Sequence, residues 1–180
     1  ISLTKIYEKK IVEEEEIVSF FEKNKDSFEE TRKKFRYLTL SPEVLVGDKL
    51  INENYFKKID IIENAILDGE SFDQLTSEYK SNIKNTPFIN QDGLKSDGNL
   101  FKDLNNETLN EIFKISDLDT PVFINQNNNF YIAELKESKN EILNLESVGL
   151  KEKIVNQIKL IDQIEKISKL INCLLYTSDA

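Results

Sequence analysis

Residues 119–137, DTPVFINQNNNFYIAELKE, read as a β-hairpin, and the fold is organised around that reading. Val122, Phe123 and Ile124 lead into an asparagine-rich centre at 125–129, and 130–135 lead back out. The flanks carry the β-branched and aromatic residues that strands favour. Asparagine tolerates the left-handed backbone of a tight reversal, so the centre is a turn with a mechanism. On the return strand Phe130 and Ile132 fall on one face and Tyr131, Ala133 and Leu135 on the other. A strand apolar on both faces belongs near the middle of a small sheet with helices against it. By itself, such a hairpin carries no chemistry.

The rest of the 180-residue chain fits that setting. Hydrophobic residues make up 39% and charged residues 32%, which points to exposed helices beside one modest core. The net charge of −9 argues against a phosphate-backbone or anionic-lipid partner, each of which needs a basic face. No apolar run reaches the roughly 20 residues of a membrane span. The start at Ile1 rather than Met leaves room for an upstream signal or membrane anchor. The single cysteine, Cys173, allows no internal disulfide. Histidine is absent, which removes Ser-His-Asp and Cys-His catalysis, imidazole metal sites and the commonest general base near neutral pH.

Taken in order, 1–10 reads as the end of an upstream element, and 12–24 as an amphipathic helix built on Ile17, Phe20 and Phe21. The carboxylates of 13–16 sit in its first turn, favourable to the helix dipole, and fan outward rather than converge on a metal. Residues 34–40, KFRYLTL, form the first strand, which Ser41-Pro42 ends. A helix over 52–68 presents Tyr55, Phe56, Ile59, Ile62 and Ile66, with Gly69 placed to stop it. Ser71 and Gln74 form a capping-box pattern opening a helix over 71–79. Residues 86–90, broken by Pro87, are at best an edge strand, and 91–99 a loop whose glycines lack the lysine of a phosphate loop. A short helix covers 106–114. A long helix covers 147–171, with Leu150, Ile154, Ile158, Ile161, Ile164, Ile167 and Ile171 forming a seam for a partner helix. Residues 172–180, NCLLYTSDA, resemble the translated read-through of a sequencing adapter and are set aside as a non-native tail.

As an ordered set, FRYLTL at 35–40, ILDGESFDQLTSEYKS at 66–81, LNNETLNEIFKISDLDTPVF at 104–123 and NNNFYIAELKE at 127–137 resemble a parvulin-type peptidyl-prolyl isomerase domain. The preceding EEEEIVSFFEKNKDSFEE, 13–30, resembles the helix upstream of such domains in the SurA/PpiD family of bacterial envelope folding factors. The resemblance implies an α+β fold, with a small, mainly antiparallel sheet covered by helices and flanked by an N-terminal and a long C-terminal helix. It also implies a division into an upstream helical segment at 1–33, a parvulin-like domain at 34–137, and a helix at 138–171 returning to the helical module. The family's two facing histidines are replaced by Tyr37 and Tyr131, its glycine-rich segment is reduced to NQDGLKSDG, and its pocket methionine is missing. Tyrosine donates a hydrogen bond but does not exchange a proton near neutral pH.

Two functions remain open from the resemblance. One is a periplasmic chaperone module, binding unfolded or proline-containing polypeptide in an apolar cradle of Tyr37, Phe88, Phe101, Phe123 and Tyr131. The other is a divergent isomerase in which Tyr37 and Tyr131 flank the prolyl ring. A spacer with a vestigial fold is a third reading. Neither a cofactor nor a metal is implied, and no nucleic-acid partner.

Overall fold

The computed structural model describes residues 10–177, with side chains through residue 173. The reading of 1–10 as the end of an upstream element therefore falls, except for Lys10, outside the described residues. The chain divides into two compact units, one of residues 30–141 and one combining the segments up to 29 and from 142 onward.

The elements run α1 (Glu14–Lys23), β1 (Glu29–Thr39), α2 (Pro42–Val46), α3 (Glu53–Leu67), α4 (Phe72–Leu75), β2 (Lys84–Asn85), α5 (Asn106–Phe113), β3 (Pro121–Gln126), β4 (Asn129–Ile142) and α6 (Leu150–Thr177). The fold is α+β, with an antiparallel sheet in the order β2-β1-β4-β3. The turn is two residues long: Asn127 and Asn128 both sit at positive φ, 52° and 61°, and Gln126 pairs with Asn129. A two-residue turn with both residues left-handed matches the twist of the flanking strands.

Strand β4 lies inside the sheet and buries both of its faces. Tyr131, Ala133 and Leu135 join Phe35, Tyr37 and Ile124 in one cluster, closed over by Leu109 and Ile112 of α5. Ile132 joins Leu38 and Leu40 in another, covered by Tyr55, Ile59 and Ile62 of α3 and by Phe72 of α4. Glu134 is buried on β4 as well. It is held by Arg36, whose Nε donates to Oε1 at 2.6 Å, and by Lys136 at 3.1 Å. The same guanidinium reaches Asp73 at 2.8 Å and lies 4.4 Å over the Phe72 ring.

Several boundaries differ from the sequence reading. Strand β1 starts at Glu29, ahead of the expected 34, because its early charges find partners: Arg32 pairs with Glu30 and Glu141, and Lys33 Nζ donates to the Phe113 and Ile115 carbonyls, both at 2.8 Å. Ser41-Pro42 ends β1 and also opens α2, where Ser41 accepts from the Val44 N–H and proline occupies a first-turn position. The capping box at Ser71 and Gln74 is present, but the helix it opens lasts a single turn. The edge strand falls at Lys84–Asn85, and past Pro87 only Ile89 exchanges hydrogen bonds with Lys33. Gly93 serves packing: its φ is +76°, and a Cβ there would meet Leu109 Cδ1 at 2.9 Å. Strand β4 runs on to Ile142, well past the apolar run.

In the other unit, the four-carboxylate run caps α1: Glu13 and Glu16 form a reciprocal capping box, and Glu14 pairs with Lys151 at 2.9 Å. Ile17, Phe21 and Phe28 pack with Leu150, Ile154 and Ile158 of α6. Helix α6 runs through Thr177, across the start of the stretch set aside as a tail.

Ile132 is completely buried at the centre of the sheet. Ile132→Ala is expected to lower the unfolding free energy by about 2–5 kcal/mol in urea denaturation, the range for truncating a core aliphatic side chain. A loss below about 1 kcal/mol would contradict the central placement of β4.

Candidate functional site

Tyr37 on β1 and Tyr131 on β4 sit on neighbouring strands in one apolar cluster with Phe35, Ile89, Phe101, Leu104, Leu109 and Ile112. Strand parity places them there. Odd-numbered residues of β1 and of this part of β4 face α5, and Tyr131 stands opposite Ile124 of β3. On the other flank of Tyr37, its register partner is Lys84 of β2.

Of the five residues expected to line a cradle, three come together: Tyr37, Phe101 and Tyr131. Phe123 lies on the opposite face of the sheet, stacked on Phe130 with ring centroids 5.8 Å apart. Phe88 is half-buried beneath the Lys139 ammonium, 4.6 Å from its ring centroid. The three that meet form core rather than an open surface, each buried to at least nine-tenths. A cleft of about 380 Å³ lies at the border of that cluster, between the end of α5 and β3, and shares Ile115 and Ile124 with it.

The electrostatics suit a closed site. Tyr37 is 1% exposed, and its hydroxyl has no hydrogen-bond partner. Burial, with smaller contributions from Asp103 and Tyr131, pushes its phenol up to about 12. The group stays neutral at any physiological pH, and no hydrogen-bond partner reaches its hydroxyl. Thr108 on α5 carries a second buried hydroxyl without a partner. Sequence reasoning missed both Asp103 and Thr108. Thr108 was legible in principle, since it stands four residues before Ile112 and so shares that helix face. Asp103 gave no pattern to read.

No known family model matches the chain, and no curated protein matches it. A solved structure matches from work on two structurally related SurA-like chaperones of Campylobacter jejuni, the virulence factor PEB4 and the periplasmic protein Cj1289. The identity is 17% and the TM-score 0.35, with 97% of this chain and 65% of that chain covered. This chain thus spans 65% of that protein's length.

The buried phenol makes a two-part prediction. Tyr37→Phe removes an unpartnered buried hydroxyl and is expected to stabilise the protein by about 1 kcal/mol at pH 7. A folded-state value of about 12 lies above the unfolded value near 10, so the folded state holds this proton more tightly. The resulting stability is full below pH ~10 and is lost as the pH rises through ~12, roughly 3 kcal/mol in all. Denaturation of wild type and Tyr37→Phe between pH 8 and 12 should show that extra alkaline loss in wild type alone. Parallel curves would mean the phenol is solvated.

Proposed function

We propose that this chain belongs to a parvulin-like folding factor of the bacterial periplasm that holds unfolded polypeptide and does not catalyse prolyl isomerisation. The observation that carries the reading is the closed tyrosine centre. Speeding isomerisation requires a pocket that favours the twisted amide over the planar one. Here the corresponding face of the sheet is filled by the protein's own Phe101, Leu104, Leu109 and Ile112, and the Tyr37 phenol inside it is neutral and unpartnered. A proline ring entering there would have to displace these buried side chains.

Holding draws support from a different surface. Beyond its contact with α1, helix α6 presents Leu160, Ile161, Ile164, Ile167 and Ile171, each between 44% and 55% exposed. A row of large apolar side chains on a helix within an acidic chain offers non-directional grip, while the net charge of −9 opposes self-association. Apolar contact of this kind is nearly equal for planar and twisted prolyl bonds, so it binds without accelerating the step.

The test joins two assays on the same preparation. Exchange of a short Xaa-Pro peptide should run at the buffer rate, tens to hundreds of seconds. Aggregation of a reduced, unfolded client should be suppressed at comparable concentrations, and Ile164→Lys with Ile167→Lys should weaken that suppression several-fold. Acceleration that disappears in a Tyr37→Phe, Tyr131→Phe double variant would instead make the tyrosines a catalytic pair.

A further inference from the structure

Strand β3 ends the sheet, and its outer edge is open. Gln126 and Asn129 flank the two-residue turn and form a hydrogen-bonded pair. Antiparallel alternation then turns the main-chain groups of Val122 and Ile124 toward Ala133 and Tyr131 of β4. The N–H and C=O of Phe123 and Asn125 point the other way. Among the described residues, no main-chain hydrogen bond from outside the hairpin reaches them.

Sheet edges are ordinarily blunted by charges, prolines, bulges or brevity. The opposite edge, β2, is two residues long and is followed by Pro87. Strand β3 has none of these defences past Pro121: residues 122–126, VFINQ, carry no charge and no proline. The chain is also bent aside just before the strand. Asp119 takes a left-handed φ of 54°, its N–H donates to the Leu135 carbonyl at 3.0 Å, and its carboxylate pairs with Lys136. The bend leaves a cleft of about 380 Å³ along the edge, lined among others by Ile115, Ser116, Thr120, Val122 and Ile124. The lining is mixed: Ile115, Val122 and Ile124 are apolar, Asp117 is charged, and Lys114 is paired with Glu111 at 2.6 Å.

We propose that the outer edge of β3 takes up an extended polypeptide segment as a fifth strand, its alternate apolar side chains entering the cleft beside Val122 and Ile124. The occupant is specified by the chemistry of the edge. Outward N–H and C=O groups two residues apart match an extended backbone, and the apolar part of the cleft beside Val122 and Ile124 matches every second side chain. Affinity then comes from the main chain, which every client shares, and the apolar side chains set the register. The inference rests on the polypeptide-holding reading and gives it a second, directional site.

The test uses the full chain and a fluorescein-labelled seven-residue peptide alternating Val and Thr, alongside the same peptide N-methylated throughout. Asn125→Pro removes one outward N–H and places a ring in the path of a docking strand, at an exposed position where an edge strand tolerates proline. The unmethylated peptide should bind wild type and shift the amide signals of Phe123 and Asn125, a readout that needs no variant. N-methylation and Asn125→Pro should each weaken binding about ten-fold or more, with the melting temperature of the variant unchanged. Equal binding of the two peptides overturns the proposal, as does peptide binding that leaves the Phe123 and Asn125 signals unmoved. So does a wild-type dimer that Asn125→Pro dissociates, which would assign the edge to a second copy of this chain. If aggregation of the unfolded client is suppressed and these results still go against the edge, the edge proposal alone fails. If that suppression is absent as well, the holding reading fails with it.

Discussion

The arrangement depends on one strand having to bury both of its faces. Residues 131–135 of β4 put tyrosine, alanine and leucine toward α5 and isoleucine toward α3. A strand so apolar is stable only with a layer on each side, and the helices of the sheet unit supply the two layers. The requirement extends to the one charged residue in the run. Glu134 cannot be left buried and alone, and Arg36 from the neighbouring strand with Lys136 two residues on neutralises it. The guanidinium also covers Phe72 and reaches Asp73, so a single side chain ties β1, β4 and α4 together.

The same constraint shapes the functional surface. Filling the α5 side of the sheet with Phe101, Leu104, Leu109 and Ile112 closes the place where two tyrosines meet, and the unpartnered phenol of Tyr37 is what that closure costs. Buried hydroxyls without partners are uncommon because each forfeits its hydration. The two surfaces proposed to hold polypeptide, the α6 stripe and the edge of β3, both lie outside that closed cluster.

The hairpin, the two-sided burial of β4 and the helices over 14–23, 53–67 and 106–113 were legible because each rests on a local rule: asparagine in a left-handed turn, or apolar side chains at a fixed period. The first five residues of β1 were not legible. Their side chains are mostly charged, and what keeps them in a strand is pairing with residues as distant as Glu141. Helix α2 was hidden behind an ambiguous signal, since a serine-proline pair ends a strand and opens a helix equally well. The cradle failed on parity. Counting outward from the turn sets Phe123 opposite Ile132 and Ile124 opposite Tyr131, and cross-strand partners share a face. Phe123 was therefore excluded from the tyrosine face by the register alone. That Tyr37 and Tyr131 would be sealed rather than open depended on where 99–104 came to rest, and no periodicity in that stretch announces it.

A chain that holds polypeptide without isomerising it requires the tyrosine centre to be closed. Nitration of the native protein with tetranitromethane, mapped by mass spectrometry, reads this directly, because the reagent modifies phenols it can reach. Tyr37 and Tyr131 are buried, whereas Tyr79 is partly exposed and serves as the internal standard. Tyr79 is expected to be modified while Tyr37 and Tyr131 remain intact until the protein is unfolded. Nitration of Tyr37 in the folded protein at a rate like that of Tyr79 would contradict that expectation, and would mean that the face of the sheet beneath α5 is an open pocket.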